Sequence, residues 1–472
     1  MIEPFDEWFA LRNKHSDDDI WAAKLQFSEE NGVALETVSL PKKGDLFAAP
    51  DCSTGTLTGY LDYQRPTTII EPLVQSRGGG SIGVDTPVHR AKARIIAGAV
   101  LKNVHLEDSK ECCFEALNIE SPAFSAWYSP NLVSSKFNFS EDQPFAKVEV
   151  AIGAPTHEKF QLDNGITAKI NSFTEAEDLT QITNIKQRVW LDLEFEHTHN
   201  LKMVQDLIWR INTLFCFLLG HQMTQKPYRL KTNHKRRWNG EDKNVYAELL
   251  FRPLFETERC HVNWHEALFD KRTCQVSVQH LLNLALKEDR SIFYLMNLIL
   301  LVEKPKRLSA NDLTELLGCI EDFHISSNGS GSSNEVAAAR RKARRVLKEY
   351  GDESDLDVFD GLADASPNRL RLSERLDLLR EGWEKYGFRG KPNSKEIVAL
   401  RNDLSHGRGN TLEADDYQRV FWYIHYLCAL SRFHIFQMIG ISPQEIARAF
   451  RLRFNDFGRY APDAEPKANS SD

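Results

Sequence analysis

The stretch SKEIVALRNDLSHG at residues 394–407, followed after a short break by ADDYQRVFWYIHYLCALSRFHIFQMI at residues 414–439, decides how the C-terminal half of this chain is read. At about 100° per residue, Ile397, Leu400 and Leu404 fall on one stripe. That predicts a short amphipathic helix over 394–404, closing just before Gly407. Arg401 lies beside the stripe, whereas a purely solvated arginine would favour the opposite face. Residues 414–439 are apolar around much of the helix circumference, the pattern of a helix at the centre of a bundle.

Upstream, helical patterns cover 276–286, 292–302, 311–323, 335–350 and 372–386, with Ser309 or Asn311 as an N-cap. Residues 326–333, SSNGSGSS, have the composition of a flexible linker. The first part of the chain reads differently. Two hairpins are expected, one turning at 30–32 and one at 163–165, and strand-like runs cover 56–63, 92–104, 113–119 and 146–152. Residues 201–219 are helical, and strand-like pieces return at 228–231 and 245–250. The expected fold class is α+β: a β-rich N-terminal domain over 1–262, sandwich or barrel-like, then an all-α helical bundle over 263–460 and a disordered tail over 461–472.

Composition narrows the function classes. The chain has 472 residues, 42% hydrophobic and 27% charged, with a formal net charge of −8. These are the proportions of a folded globular protein, and any nucleic-acid contact must use local basic patches. The acidic N-terminus is no secretory signal, and no apolar run reaches the ~20 residues that span a bilayer. The eight cysteines are scattered and read as reduced thiols. A cytoplasmic protein with no membrane partner is expected.

Residues 401–407, RNDLSHG, fit the pattern Arg-x4–6-His and the tighter form Arg-Asn-x3-His. The loose pattern occurs four times, at Arg229/His234, Arg259/His265, Arg401/His406 and Arg419/His425, but only Arg401 is followed by a polar amide, Asn402. With one helix ending at the motif and the longest helix following, this half of the chain resembles the HEPN superfamily of ribonucleases. A long β-rich region ahead of such a module resembles, in layout, the ApeA group of anti-phage proteins.

The residue types suit metal-free RNA cleavage. A ribose 2′-hydroxyl must lose a proton and attack phosphorus, the leaving 5′-oxygen must gain one, and charge on the phosphate oxygens must be stabilised. Histidine as a residue type titrates near neutrality, which suits His406 to moving the proton. Arg401 offers a permanent charge on a planar fork, and Asn402 can orient either group. The competing structural reading pairs Arg401 with Glu396 or Asp403 and leaves His406 as a helix cap.

The resemblance implies more: a homodimer or higher homo-oligomer with a composite site, no metal and no cofactor, a 2′,3′-cyclic phosphate product, and an abortive-infection effector set off by a phage-derived trigger. Its substrate would be RNA, with tRNA among the candidates. The alternative is a non-catalytic HEPN-like module for dimerisation or RNA binding, beside a ligand-recognising β domain.

Two basic segments could hold RNA. Residues 226–243 carry a net charge of +5, with Lys235, Arg236 and Arg237 beside Trp238; residues 335–349 carry +4, including Arg340, Arg341, Arg344 and Arg345. Cys260, His261, His265 and Cys274 match no common zinc spacing and read as core thiols and surface histidines. Residues 77–81, RGGGS, lack a phosphate-binding frame and read as a mobile turn.

Overall fold

The structure, a computed structural model, describes residues 5–12, 21–28, 32–39, 50–53, 55–62, 65–82, 88–128, 133–138, 147–177, 184–223, 227–251, 262, 266–287, 289–303, 309–329, 334–365, 370–390, 392–405, 414–453 and 455–462. It divides into two compact units: Met1–Thr273 with Ser277–Leu286, and Cys274–Val276 with Lys287–Asp472.

The first unit opens with strands β1 (Phe5–Arg12), β2 (Trp21–Ser28), β3 (Gly32–Ser39), β4 (Thr56–Leu61), β5 (Arg65–Ile70), β6 (Leu73–Ile82), β7 (Val88–Ala97), β8 (Ala99–Lys102) and β9 (Phe114–Ile119). Helix α1 (Pro122–Tyr128) follows, then β10 (Val133–Asn138), β11 (Lys147–Ile152), β12 (Thr156–Gln161), β13 (Ile166–Glu177) and β14 (Asn184–His199). Helix α2 (Leu201–Leu219), β15 (Tyr228–Trp238), β16 (Glu241–Phe251) and α3 (Val278–Ala285) complete it.

Among the described residues the strands form one antiparallel ladder, in the order β12-β13-β14-β9-β15-β16-β8-β5-β4-β1-β2-β3-β7-β6, and β10 pairs with β11. The hairpins follow the sequence signals. Asn164 and Gly165 both take positive φ (58° and 70°), which suits the right-handed twist of β12 and β13. Asn239 and Gly240 do the same (51° and 82°) and join β15 to β16. That second hairpin is longer than the two strand pieces read from sequence, because its charged outer half shows no apolar alternation. Residues 77–81 are not a turn. They lie within β6 and pair with β7, from Arg77 opposite Ala93 to Ser81 opposite His89.

Alternate residues of β1 to β5 and of β7 and β8, with Leu250 of β16, meet in one apolar core that includes Phe9, Leu25, Phe27, Leu35, Ile95 and Val100. Strands distant in the ladder share it, so this stretch curls round a common interior, as the barrel-like reading expects. Helices α1 and α2 cover β9 and β14, with Phe215 centred 4.9 Å from Phe124 and 5.1 Å from Trp127. Asn200 caps α2 by accepting from the Met203 amide, and Gly220 closes it at φ 75°.

The second unit is helical: α4 (Ser291–Val302), α5 (Ala310–Asn328), α6 (Asn334–Tyr350), α7 (Glu353–Ala365), α8 (Leu372–Glu384), α9 (Ser394–Ser405), α10 (Ala414–Ile439), α11 (Pro443–Arg453) and α12 (Asn455–Gly458). The β-rich half followed by a helical half is the expected architecture. Helix α3, read from sequence as part of the helical domain, instead packs on α2 in the first unit, where Arg210 Nη1 donates to the Ala285 carbonyl at 3.4 Å. The division therefore falls near residues 274–287 rather than at 262. Helix α5 absorbs Ser326, Ser327 and Asn328 of the expected linker. Helices α7, α11 and α12 of this unit, and α1 of the first, are absent from the sequence reading.

Trp383, fully buried, anchors the bundle, with Phe388 at 4.6 Å, Phe433 at 5.5 Å and Tyr460 at 6.0 Å. Arg432 is buried on α10, and its Nε donates to Glu303 Oε1 at 2.8 Å. No helix among the described residues is long and apolar enough to cross a membrane. Cysteines 52, 112, 113, 216, 274, 319 and 428 are free thiols.

Candidate functional site

Helix α9 begins at Ser394, whose Oγ donates to Asp377 Oδ1 of α8 at 2.8 Å. Tyr423 of α10 donates to Glu396 Oε2 at 3.4 Å. Ile397 and Leu400 are buried and Leu404 half-buried, so the apolar stripe read from sequence is the packed face. The two hydrogen bonds hold the first turn of α9, and Leu400 and Leu404 pack beside Arg401 and Asn402 near its end.

Arg401 is half-buried and Asn402 exposed. The Arg401 Nη1 donates to Asn402 Oδ1 at 3.4 Å. Its Nε is shielded from solvent and has no hydrogen-bond partner among the described residues. Glu396 and Asp403, the acids of the competing reading, form no ion pair with it among those residues; Glu396 instead accepts from Asn393 and Tyr423. Ser405 Oγ donates back to the Arg401 carbonyl at 2.8 Å, in the last turn of the helix. His406 follows directly and lies outside the described residues. What the described part offers is a guanidinium held by packing, beside an amide, with donor capacity left over. That suits an oxyanion or phosphate.

Arg419 and His425 lie within α10 with no intervening loop, so this second occurrence of the pattern has no helix end to present it. Sequence reading missed the neighbouring face. Tyr417, Phe421 and Trp422 are exposed on the N-terminal half of α10, and the Arg459 guanidinium stacks over Trp422 at 4.1 Å. The apolar pattern of α10 hid this, because aromatic residues on a bundle helix normally face inward.

The two basic segments adopt different structures. Lys235, Arg236, Arg237 and Trp238 form the outer end of the β15–β16 hairpin and are all exposed. Lys235, Arg236 and Arg237 have no ion pair among the described residues, while Lys243 lies 3.6 Å from Glu241. Trp238 is 59% exposed, enough of its face to stack on a base. On α6, Arg341, Arg344 and Arg345 are exposed and Arg340 half-buried. This helix packs with α7, which carries five carboxylates and no basic residue, and Arg344 donates to Asp360 at 2.6 Å.

A cavity of about 710 Å³ opens on the sheet in the first unit, lined by Asn118, Asp192, Glu194, Arg229, Lys231 and Tyr246. Lys231 is already paired with Glu115 at 2.9 Å, and Asp192 accepts from Asn171 at 2.7 Å. Of the residues read as core thiols and surface histidines, Cys260, His261 and His265 lie outside the described residues and Cys274 is buried.

One family model matches the chain. It is described as ApeA N-terminal domain 1 and covers residues 7–283, more than half the length and close to the whole first unit. No curated protein matches, and no solved structure matches.

Proposed function

The chain belongs to the family defined by ApeA N-terminal domain 1, and from that premise we propose that it is an anti-phage defence protein whose helical unit is a metal-independent endoribonuclease of HEPN type. The observation that carries the catalytic half of this reading is Arg401: a packed guanidinium at the end of α9, beside Asn402, with no acidic partner among the described residues.

In this reading His406 moves the proton. It takes the 2′-hydroxyl proton or donates to the leaving 5′-oxygen, according to its protonation state. The 2′-oxygen then bonds to phosphorus as the 5′-oxygen bond breaks, leaving a 2′,3′-cyclic phosphate and a free 5′-hydroxyl. Arg401 stabilises charge on the non-bridging oxygens, and Asn402 orients it. The hairpin residues Lys235, Arg236, Arg237 and Trp238 hold the RNA, with Arg340, Arg341, Arg344 and Arg345 as a second contact. The first unit acts as sensor or restraint, and two copies of the chain complete the site.

The test is RNA cleavage by wild type, His406→Ala and Arg401→Ala, in EDTA, with the product termini identified. EDTA-resistant cleavage that yields cyclic phosphate and is lost in both variants supports the enzyme. Equal behaviour of all three proteins sinks it. A non-catalytic module for dimerisation or RNA binding is then favoured, and the exposed row Tyr417, Phe421 and Trp422 on α10 suits that role.

A further inference from the structure

We infer that Glu111, Cys113 and His234 form a binding site for a divalent transition metal, with zinc the ion their donor chemistry fits best. The three residues come from segments about 120 positions apart. Their ligand atoms, a carboxylate oxygen, a thiol sulfur and an imidazole nitrogen, all lie within 4.8 Å of one another. His234 Nε2 is 3.1 Å from Glu111 Oε1. Cys113 is buried, while Glu111 and His234 are half-exposed, so the cluster is closed at the thiol and open at the other two donors.

The backbone is irregular at this point. Strand β15 shifts register against β16 between Lys231 and Lys235, and against β9 between Lys231 and Thr232. The Asn233 amide donates to the Cys113 carbonyl at 2.8 Å, tying the two segments together at Cys113 itself and one residue before His234. A bulge re-aims a side chain, and here it sets His234 beside the residues that enter β9. A plain ion pair would explain His234 and Glu111. It does not explain a buried thiol converging on the same point.

Zinc binds cysteine sulfur at about 2.3 Å and histidine nitrogen and carboxylate oxygen at about 2.0–2.2 Å. Drawing three donors from their present separations onto one ion needs side-chain movements on the order of 1 Å. Sulfur, nitrogen and oxygen together favour zinc over magnesium or calcium, which take oxygen alone. On binding, the Cys113 thiol loses its proton to solvent as the metal–sulfur bond forms. Three protein donors leave a fourth position for water or for the adjacent exposed thiol of Cys112. The ion would join the start of β9 to the root of the basic hairpin.

The test uses the intact protein and no RNA, so it is independent of the nuclease reading. Metal content is measured on purified full-length chain, followed by titration of chelator-stripped protein with cobalt(II). One zinc per chain, lost in Cys113→Ser and in His234→Ala but kept in Cys274→Ser, supports the site, as does a thiolate-to-cobalt absorption band that saturates at one equivalent. Metal retained in both Cys113→Ser and His234→Ala overturns it. If either variant fails to fold, the wild-type cobalt titration decides: no thiolate band in folded, stripped protein overturns the proposal.

Discussion

The interior of the helical bundle and the end of α9 both carry arginine, but with opposite surroundings. Inside, Arg432 is fully buried against Glu303, and Arg375 is 1% exposed with its Nη1 donating to His324 Nδ1 at 3.0 Å. At the end of α9, Arg401 is half-buried and meets only an amide side chain among the described residues. A buried charge without a partner costs several kcal/mol, so the interior arginines must be bonded for the unit to fold. Arg401 keeps one edge in solvent, which lets it remain unneutralised. The comparison teaches that charge available to a ligand is charge the fold has not already paired, and the same contrast separates the hairpin cations from those facing α7.

The largest effect should come from the interior. Arg432→Ala strands Glu303 and should lower stability by about 3–5 kcal/mol, read by denaturant unfolding. A loss below about 1 kcal/mol would erase the distinction. Next, Arg401→Ala should slow RNA cleavage by about 10²–10³-fold while leaving the unfolding midpoint of the helical unit in place. A stability loss matching that of Arg432→Ala would make Arg401 a structural residue.

The interior also sets a pH response. Burial pushes both His324 and His434 below the usual histidine range, His434 to about 4, and the Arg375 charge adds to the effect on His324. His434 Nε2 donates to the Leu379 carbonyl at 2.8 Å in the neutral form. The unfolded chain binds protons at these rings near pH 6.5 and the folded unit does not. Stability is therefore complete above pH 6.5 and falls as pH drops toward 4. For His434 the loss should be on the order of 2 kcal/mol, allowing for its partial exposure. His199 of the first unit shifts in the same direction, so the informative measurement is the difference between wild type and His434→Gln. An unchanged pH slope in the variant would remove His434 as the cause.

The smallest effect is on RNA affinity. Reversing Lys235, Arg236 and Arg237 to glutamate should weaken RNA binding by about 10-fold or more and reduce the salt slope by about 3, since each removes a free phosphate contact. The same change at Arg340, Arg341 and Arg345 should cost less than about 3-fold, because α7 already supplies opposing charge. Equal losses in titrations at several salt concentrations would break the parallel.

Much of this was legible in residue order. Period-two runs with Asn-Gly turns mark the hairpins, and the stripe Ile397, Leu400 and Leu404 places Arg401 at the edge of a packed face. Other features were hidden for physical reasons. The hairpin end at 235–243 is solvated on both faces, so no alternation marks it. The glycines at 78–80 look like a turn because glycine permits one, yet the ladder with β7 holds them extended. Helix α3 carries an ordinary amphipathic pattern, and nothing in that pattern says which unit it will cover.

Local chemistry alone determined the β-then-α order and the apolar stripe that sets Arg401 near the end of α9, because periodicity acts over a few neighbouring positions. Which cations remain unpaired, which unit α3 joins, and that Glu111, Cys113 and His234 share one point were decided only by tertiary structure. Those are relations between segments distant in the chain, and a charge or a ligand atom has no partner until packing brings one to it.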